Sequence, residues 1–255
     1  MTTIPSYKLT VHYVLTFCRG TLSFHDAAVV FSFMYSPITQ AQGRFGTSMM
    51  THGHLNYWDV SAITNMFNWF NSVFRGKEFE VPPDIDLSGW DVSNVNTMGH
   101  MFFQYTGSWN WAIERWDVRN VRNFSGMFSG CTTFNRPIGE YWDVSSALVM
   151  DSMFQGATIF NQPLQKWNVS NVRSMSYMFS KAAQFNQPLD EWNVSRVTNF
   201  ARMFWGAKSF NQPLERWNLS SARFLNFMFA DAPAFNQSAF NWNMYNVRNA
   251  DRMLS

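Results

Sequence analysis

Apolar positions in this chain follow two rhythms that alternate along its length. In LQKWNVS, residues 164–170, Leu164, Trp167 and Val169 are apolar and the residue between Trp167 and Val169 is polar. The Trp-x-Val step is strict alternation, which predicts a short, half-buried strand with Trp and Val inward. The rhythm then lengthens. Val172, Met175, Met178 and Phe179 recur at spacings of three and four, as do Val95, Met98, Met101, Phe102 and Val197, Phe200, Met203, Phe204. That spacing is one face of a helix, and it predicts a helix of about three turns. Ser170 and Ser195 stand where they would cap it.

The pair of rhythms repeats. FNQPLQKWNVSNVRSMSYMFSKAAQ returns as FNQPLDEWNVSRVTNFARMFWGAKS and as FNQPLERWNLSSARFLNFMFADAPA, at a period of 25 residues. One tryptophan marks each copy: Trp58, Trp90, Trp116, Trp142, Trp167, Trp192, Trp217 and Trp242. A fixed period in this range marks an array of stacked units rather than a globule with one closed core. The expected architecture is a right-handed α/β repeat solenoid, leucine-rich-repeat-like, with one short strand and one short helix per coil. Residues 55–255 form eight such repeats and end within the last coil, while residues 1–54 form an N-terminal cap or a partly ordered segment. Within that segment, HDAAVVFSFMY (residues 25–35) predicts a short helix ended by Pro37. GKEFEVPPD (residues 76–84) is an insertion between the first two tryptophans.

The closing Phe-Asn-Gln-Pro corner places Asn135, Asn161, Asn186, Asn211 and Asn236 in register, together with Asn110. An Asn at a tight corner bonds its own backbone or the next coil's corner, and so builds a ladder. Pro137, Pro163, Pro188 and Pro213 stop a helix from running on.

Composition alters this picture little. The 26 Phe and 12 Trp supply an aromatic interior, and the formal charge of +2 gives no bulk field for nucleic acid. Two cysteines, Cys18 and Cys131, make neither a disulfide framework nor a zinc cluster. No apolar run reaches the length of a transmembrane helix, and LTVHYVLTF (residues 9–17) lacks the small-residue cleavage site of an export signal.

The repeat unit F-N-Q-P-L-x-x-W-N-V-S-N-V-x-x-M-x-x-M-F resembles the BspA-type leucine-rich-repeat family of surface proteins, closely from Trp142 onward and recognisably from Leu55. The resemblance implies display at a cell surface or secretion, with adhesion and protein binding as roles; a cytoplasmic location is the alternative.

Outward columns are where such an array would bind. The position after each Trp holds Asp59, Asp91, Asp117 and Asp143, then Asn168, Asn193, Asn218 and Asn243. Four stacked carboxylates repel one another unless solvent, Arg115 and Arg119, or a cation relieves them; the alternative role is capping turns. The position before Trp includes Arg115, Tyr141, Lys166 and Arg216. A further column carries Arg122, Arg173, Arg223 and Arg248, with Thr198 between, and reads as a solvated face. His52-Gly-His54 lacks a third metal ligand, and no nucleophile elbow, phosphate loop or HExxH occurs. The expected function is therefore non-enzymatic and needs no cofactor: a surface or extracellular binding and adhesion module that takes a protein or glycan on the strand face. The alternative is a structural subunit that self-associates through an uncapped C-terminal coil.

Overall fold

Each repeat runs as a succession of hydrogen-bonded turns. The computed structural model describes residues 55–70, 85–107, 111–237 and 242–254. Among them there is no α-helix and no strand, only three short 3-10 helices, Leu55–Tyr57, Ile113–Arg115 and Ile138–Glu140. The chain is thus not the right-handed α/β solenoid its periodicity predicts. The predicted cap and its helix, the inserted loop and Asn110 lie outside the described residues.

The physical reason is visible in one coil. Trp167 N–H donates to Leu164 O (3.0 Å), Val172 to Val169 O (2.9 Å), Met178 to Met175 O (3.2 Å), Ala182 to Phe179 O (3.0 Å) and Phe185 to Ala182 O (3.1 Å). Every one of these apolar residues opens or closes a four-residue turn, so a spacing of three arises without a helix. Between the turns the backbone bonds sideways. Met175, Tyr177, Phe179 and Lys181 donate to the carbonyls of Asn199, Ala201, Met203 and Trp205 in the next coil, at 2.7–2.9 Å. A helix would spend those N–H groups within its own segment.

The turns need left-handed residues. All the positive φ angles among the described residues fall in two columns, ten and fourteen positions past the tryptophan. The first holds Asn68, His100, Gly126, Ser152, Tyr177, Arg202, Phe227 and Arg252, and the second Gln104, Gly130, Gly156, Lys181, Gly206 and Asp231. A positive φ at the third position is what a type II turn requires. A residue with a Cβ pays roughly 1–2 kcal/mol for it, whereas glycine pays through unfolded-chain entropy instead. Ser152 (φ 56°) makes no side-chain hydrogen bond with a described residue and follows Gly126 (φ 60°) in its column. Ser152→Gly is therefore expected to raise the unfolding free energy by about 0.5–1 kcal/mol, read as a higher urea midpoint at unchanged slope.

Coils stack in chain order. Single-residue parallel bridges run Asn65↔Thr97↔Asn123↔Val149↔Ser174↔Asn199↔Phe224↔Asn249. The burial alternation expected around the tryptophans holds from Trp90 to Trp217 although no strand forms: Trp167 and Val169, for example, are buried and Asn168 is exposed. Inside, phenylalanines form two columns. Phe102, Phe128, Phe154, Phe179, Phe204 and Phe229 stack at 5.4–5.8 Å between ring centroids. Phe134, Phe160, Phe185, Phe210 and Phe235 stack at 5.6–6.1 Å. The columns touch within a coil, with Phe179 and Phe185 at 4.0 Å. Such pairs add about 0.5–1.5 kcal/mol each beyond area burial.

Indole N–H groups tie the coils together. Trp116, Trp192, Trp217 and Trp242 donate to the carbonyls of Leu87, Leu164, Leu189 and Leu214 one coil earlier, at 2.8–3.0 Å. Trp142 donates to Ile113 O at 3.1 Å. The Asn ladder forms as well. Oδ1 of Asn135, Asn161, Asn186 and Asn211 accepts the backbone N–H of the next corner's Asn at 2.9–3.0 Å. The following Gln reaches back to the same oxygen at 2.9–3.1 Å.

Candidate functional site

The residue after each tryptophan is committed first to the fold. Oδ1 of Asp59, Asp91, Asp143, Asn168, Asn193, Asn218 and Asn243 accepts the backbone N–H two residues on, at 3.0–3.2 Å. Asp117 does the same for Arg119 at 3.3 Å. These are Asx turns, which Asp and Asn make equally well; hence the column changes from one to the other without changing the backbone. Hydrogen bonds from Ser93 and Ser145 hold the Asp91 and Asp143 carboxyls below the usual carboxylate value. The carboxylates remain at the surface, and Arg119 closes on Asp117 at 2.8 Å. Among the described residues no group of three or more His, Cys, Asp or Glu could hold a metal ion. His52 and His54 lie outside the described residues.

The position before tryptophan is exposed at each of its described residues, from Tyr57 to Arg216. Tyr57 and Tyr141 are 72% and 60% exposed, and Arg115 is exposed. Lys166 pairs with Glu140 of the preceding coil at 2.5 Å. Arg216 pairs with Asp190 at 3.3 Å and with Glu191. The eight residues singled out as binding positions thus lie in two adjoining columns, because consecutive residues flank one buried indole. Charge pairs between coils fix Lys166 and Arg216, while exposed pairs of this kind contribute only about 0–1 kcal/mol.

Sequence reasoning missed a second set of contacts, mostly half-buried and built on the left-handed columns. The Arg202 guanidinium lies 5.4 Å from the Tyr177 ring centre, 4.8 Å from Phe227 and 5.8 Å from Trp205, and it donates to the Tyr177 hydroxyl. Lys181 sits 4.6 Å over Trp205, whose indole N–H donates to Asp231 at 2.7 Å. The only sequence signal was the recurrence of glycine in the same columns, at Gly126, Gly130, Gly156 and Gly206.

Burial shifts three titratable groups. The Cys131 thiol is fully buried, donates to Phe102 O at 2.9 Å and is pushed far above the ordinary thiol value by burial. It therefore offers no thiolate nucleophile. Beside it, burial raises the Tyr105 phenol to about 12. His100 packs edge-on between Phe67 (5.4 Å) and Phe103 (5.3 Å), and burial lowers its pKa. The fold therefore prefers neutral imidazole, and the unfolded chain takes up the proton more readily. Stability is complete above about pH 6.5 and falls as pH drops through the lowered folded value. Comparing urea midpoints at pH 7.5 and 5.5, His100→Asn is expected to lose less stability on acidification than the native chain. Asn tolerates the left-handed backbone there.

The model of one protein family, described as "Mycoplasma protein of unknown function, DUF285", matches residues 21–106, 39–158, 71–189 and 162–255. The chain belongs to that family. Comparison with curated proteins gave no match, and neither did comparison with solved structures. The overlapping matches agree with a repeat protein, since one family model finds several registers along this DUF285 chain. Among its described residues, no helix is long and apolar enough to cross a membrane.

Proposed function

We propose that this DUF285 protein is a non-enzymatic binding module that takes a protein or glycan on the two exposed columns flanking its tryptophans. The observation that carries the reading is the contrast between neighbouring positions. The tryptophan is invariant from coil to coil, whereas the exposed residue before it changes from Tyr57 to Gly89, Arg115, Tyr141, Lys166, Glu191 and Arg216. A surface of exposed tyrosine and arginine on a rigid support has the composition of protein and glycan contact sites. The resemblance of the repeat to BspA-type surface proteins supports display at a cell surface or outside the cell, with adhesion as the role.

The test is a glycan array together with capture of surface proteins, using the native chain and the double variant Arg115→Ala, Tyr141→Ala. Loss of a captured ligand in the variant, with an unchanged unfolding midpoint, supports the site. A ligand retained in full removes these columns as the binding surface.

A further inference from the structure

A basic column six residues past the tryptophan forms no ion pair among the described residues. Arg122, Leu148, Arg173, Thr198, Arg223 and Arg248 follow one another through backbone bonds of 2.8–2.9 Å from each N–H to the carbonyl of the residue before it in the column. All four arginines are exposed. Among the described residues, none of their guanidinium groups forms an ion pair. Arg119, Arg136, Lys166 and Arg216 each do, with Asp117, Glu114, Glu140, and Asp190 and Glu191. Arg223 and Arg248 are direct neighbours in the ladder, an arrangement that like charges make unfavourable.

The surrounding charge adds to this. Residues 55–160 hold eleven Asp and Glu against six Lys and Arg, whereas residues 161–255 hold five against ten. The change from Asp to Asn after the tryptophan, between Asp143 and Asn168, contributes to that switch while keeping the same turns. A chain that is nearly neutral as a whole therefore presents a basic half, and three of the four column arginines stand in it.

We propose that this column binds an acidic linear glycan, at a second surface that goes beyond the columns of the binding function proposed above. Coils joined by parallel ladder bonds lie about 4.8 Å apart, so Arg122, Arg173 and Arg223 fall roughly 10 Å from one to the next. A polymer with a carboxylate on every second sugar presents charges on a comparable pitch along an extended chain. Guanidinium groups match carboxylates through paired N–H donors. Leu148 and Thr198, at the intervening positions, offer apolar and hydroxyl surface to the uncharged sugars.

The test measures binding of a hyaluronan oligosaccharide, a neutral dextran oligosaccharide of equal length and a single-stranded oligonucleotide. The proteins are the native chain and the triple variant R173Q/R223Q/R248Q, with native-like unfolding midpoints confirmed first. The expected result is salt-sensitive hyaluronan binding, no dextran binding, and binding at least ~10-fold weaker in the variant. Equal binding by the variant, equal binding of dextran, tighter binding of the oligonucleotide or no binding of hyaluronan overturns the inference. If hyaluronan fails while a captured ligand is still lost in the Arg115→Ala, Tyr141→Ala variant, the acidic-glycan assignment falls and the binding function stands.

Discussion

Replacing Trp192 by alanine is expected to lower the unfolding free energy by about 3–5 kcal/mol, the range for truncating a buried large aromatic. The indole is 3% exposed, packs against Phe179 with ring centroids 6.4 Å apart, and donates to Leu164 O at 3.0 Å. Truncation opens a cavity between two coils and leaves that carbonyl without its indole donor. Three companion variants separate these contributions. Trp58→Ala should cost less, because Trp58 is only partly buried. Trp167→Phe should cost less than Trp192→Phe by about 1 kcal/mol, because the buried Trp167 Nε1 has no hydrogen-bond partner to lose among the described residues. Urea unfolding monitored by near-ultraviolet dichroism measures all three, and equal effects of the two Trp→Phe changes would contradict the bonding pattern.

The second large effect is expected at Gly139. A Cβ there would lie 1.8 Å from Pro163 O and 2.9 Å from Pro163 C. The obstacle is backbone of the next coil, so no side-chain rotation relieves it. Gly139→Ala should cost about 3 kcal/mol or more. Gly89→Ala is the control: nothing lies within 4 Å of its Cβ position, and its midpoint should stay within about 0.5 kcal/mol of native. Gly139 also explains the unpaired indole. The other coils set three residues from the apolar residue to tryptophan, as in Leu164 and Trp167, but Ile138 and Trp142 are four apart. The added residue folds into the 3-10 helix Ile138–Glu140, and Ile138 O accepts the N–H groups of Trp142 (3.1 Å) and Tyr141 (3.3 Å).

What could be read from the sequence was register, and what could not was backbone conformation. The period of Trp167, Trp192 and Trp217 placed one indole at the same point of each coil, and the corner Asn ladder followed from Asn161 and Asn186 being in step. No helix forms although Val172, Met175, Met178 and Phe179 suit one, because successive turns produce the same spacing as a helical face. The deciding residues, Tyr177 and Lys181 with φ of 57°, are types that ordinarily avoid the left-handed region. The Asx turns of Asp91 and Asp143 could not be read directly, because their side-chain bonds are local and leave no long-range signature. The interchange of Asp with Asn at that position was the available clue.

One local substitution shows how closely the bonding pattern is kept. Asn65, Asn123, Asn199 and Asn249 each accept the N–H two residues on, at 2.8–3.0 Å. Ser174 cannot reach in the same way, and Asp151 of the preceding coil accepts from Ser176 N–H (2.7 Å) and from the hydroxyls of Ser174 (2.5 Å) and Ser176 (2.7 Å).

Near-identical coils carry a hazard during folding. The units that begin at Phe160, Phe185 and Phe210 present matching rings, corners and donors, so a growing stack could dock one unit out of sequence and still satisfy most of its bonds. The lengthened segment at Ile138–Glu140, where Gly139 meets the carbonyl of Pro163, departs from that sameness. It marks one junction as different from those that follow, so a stack slipped across it would no longer fit there.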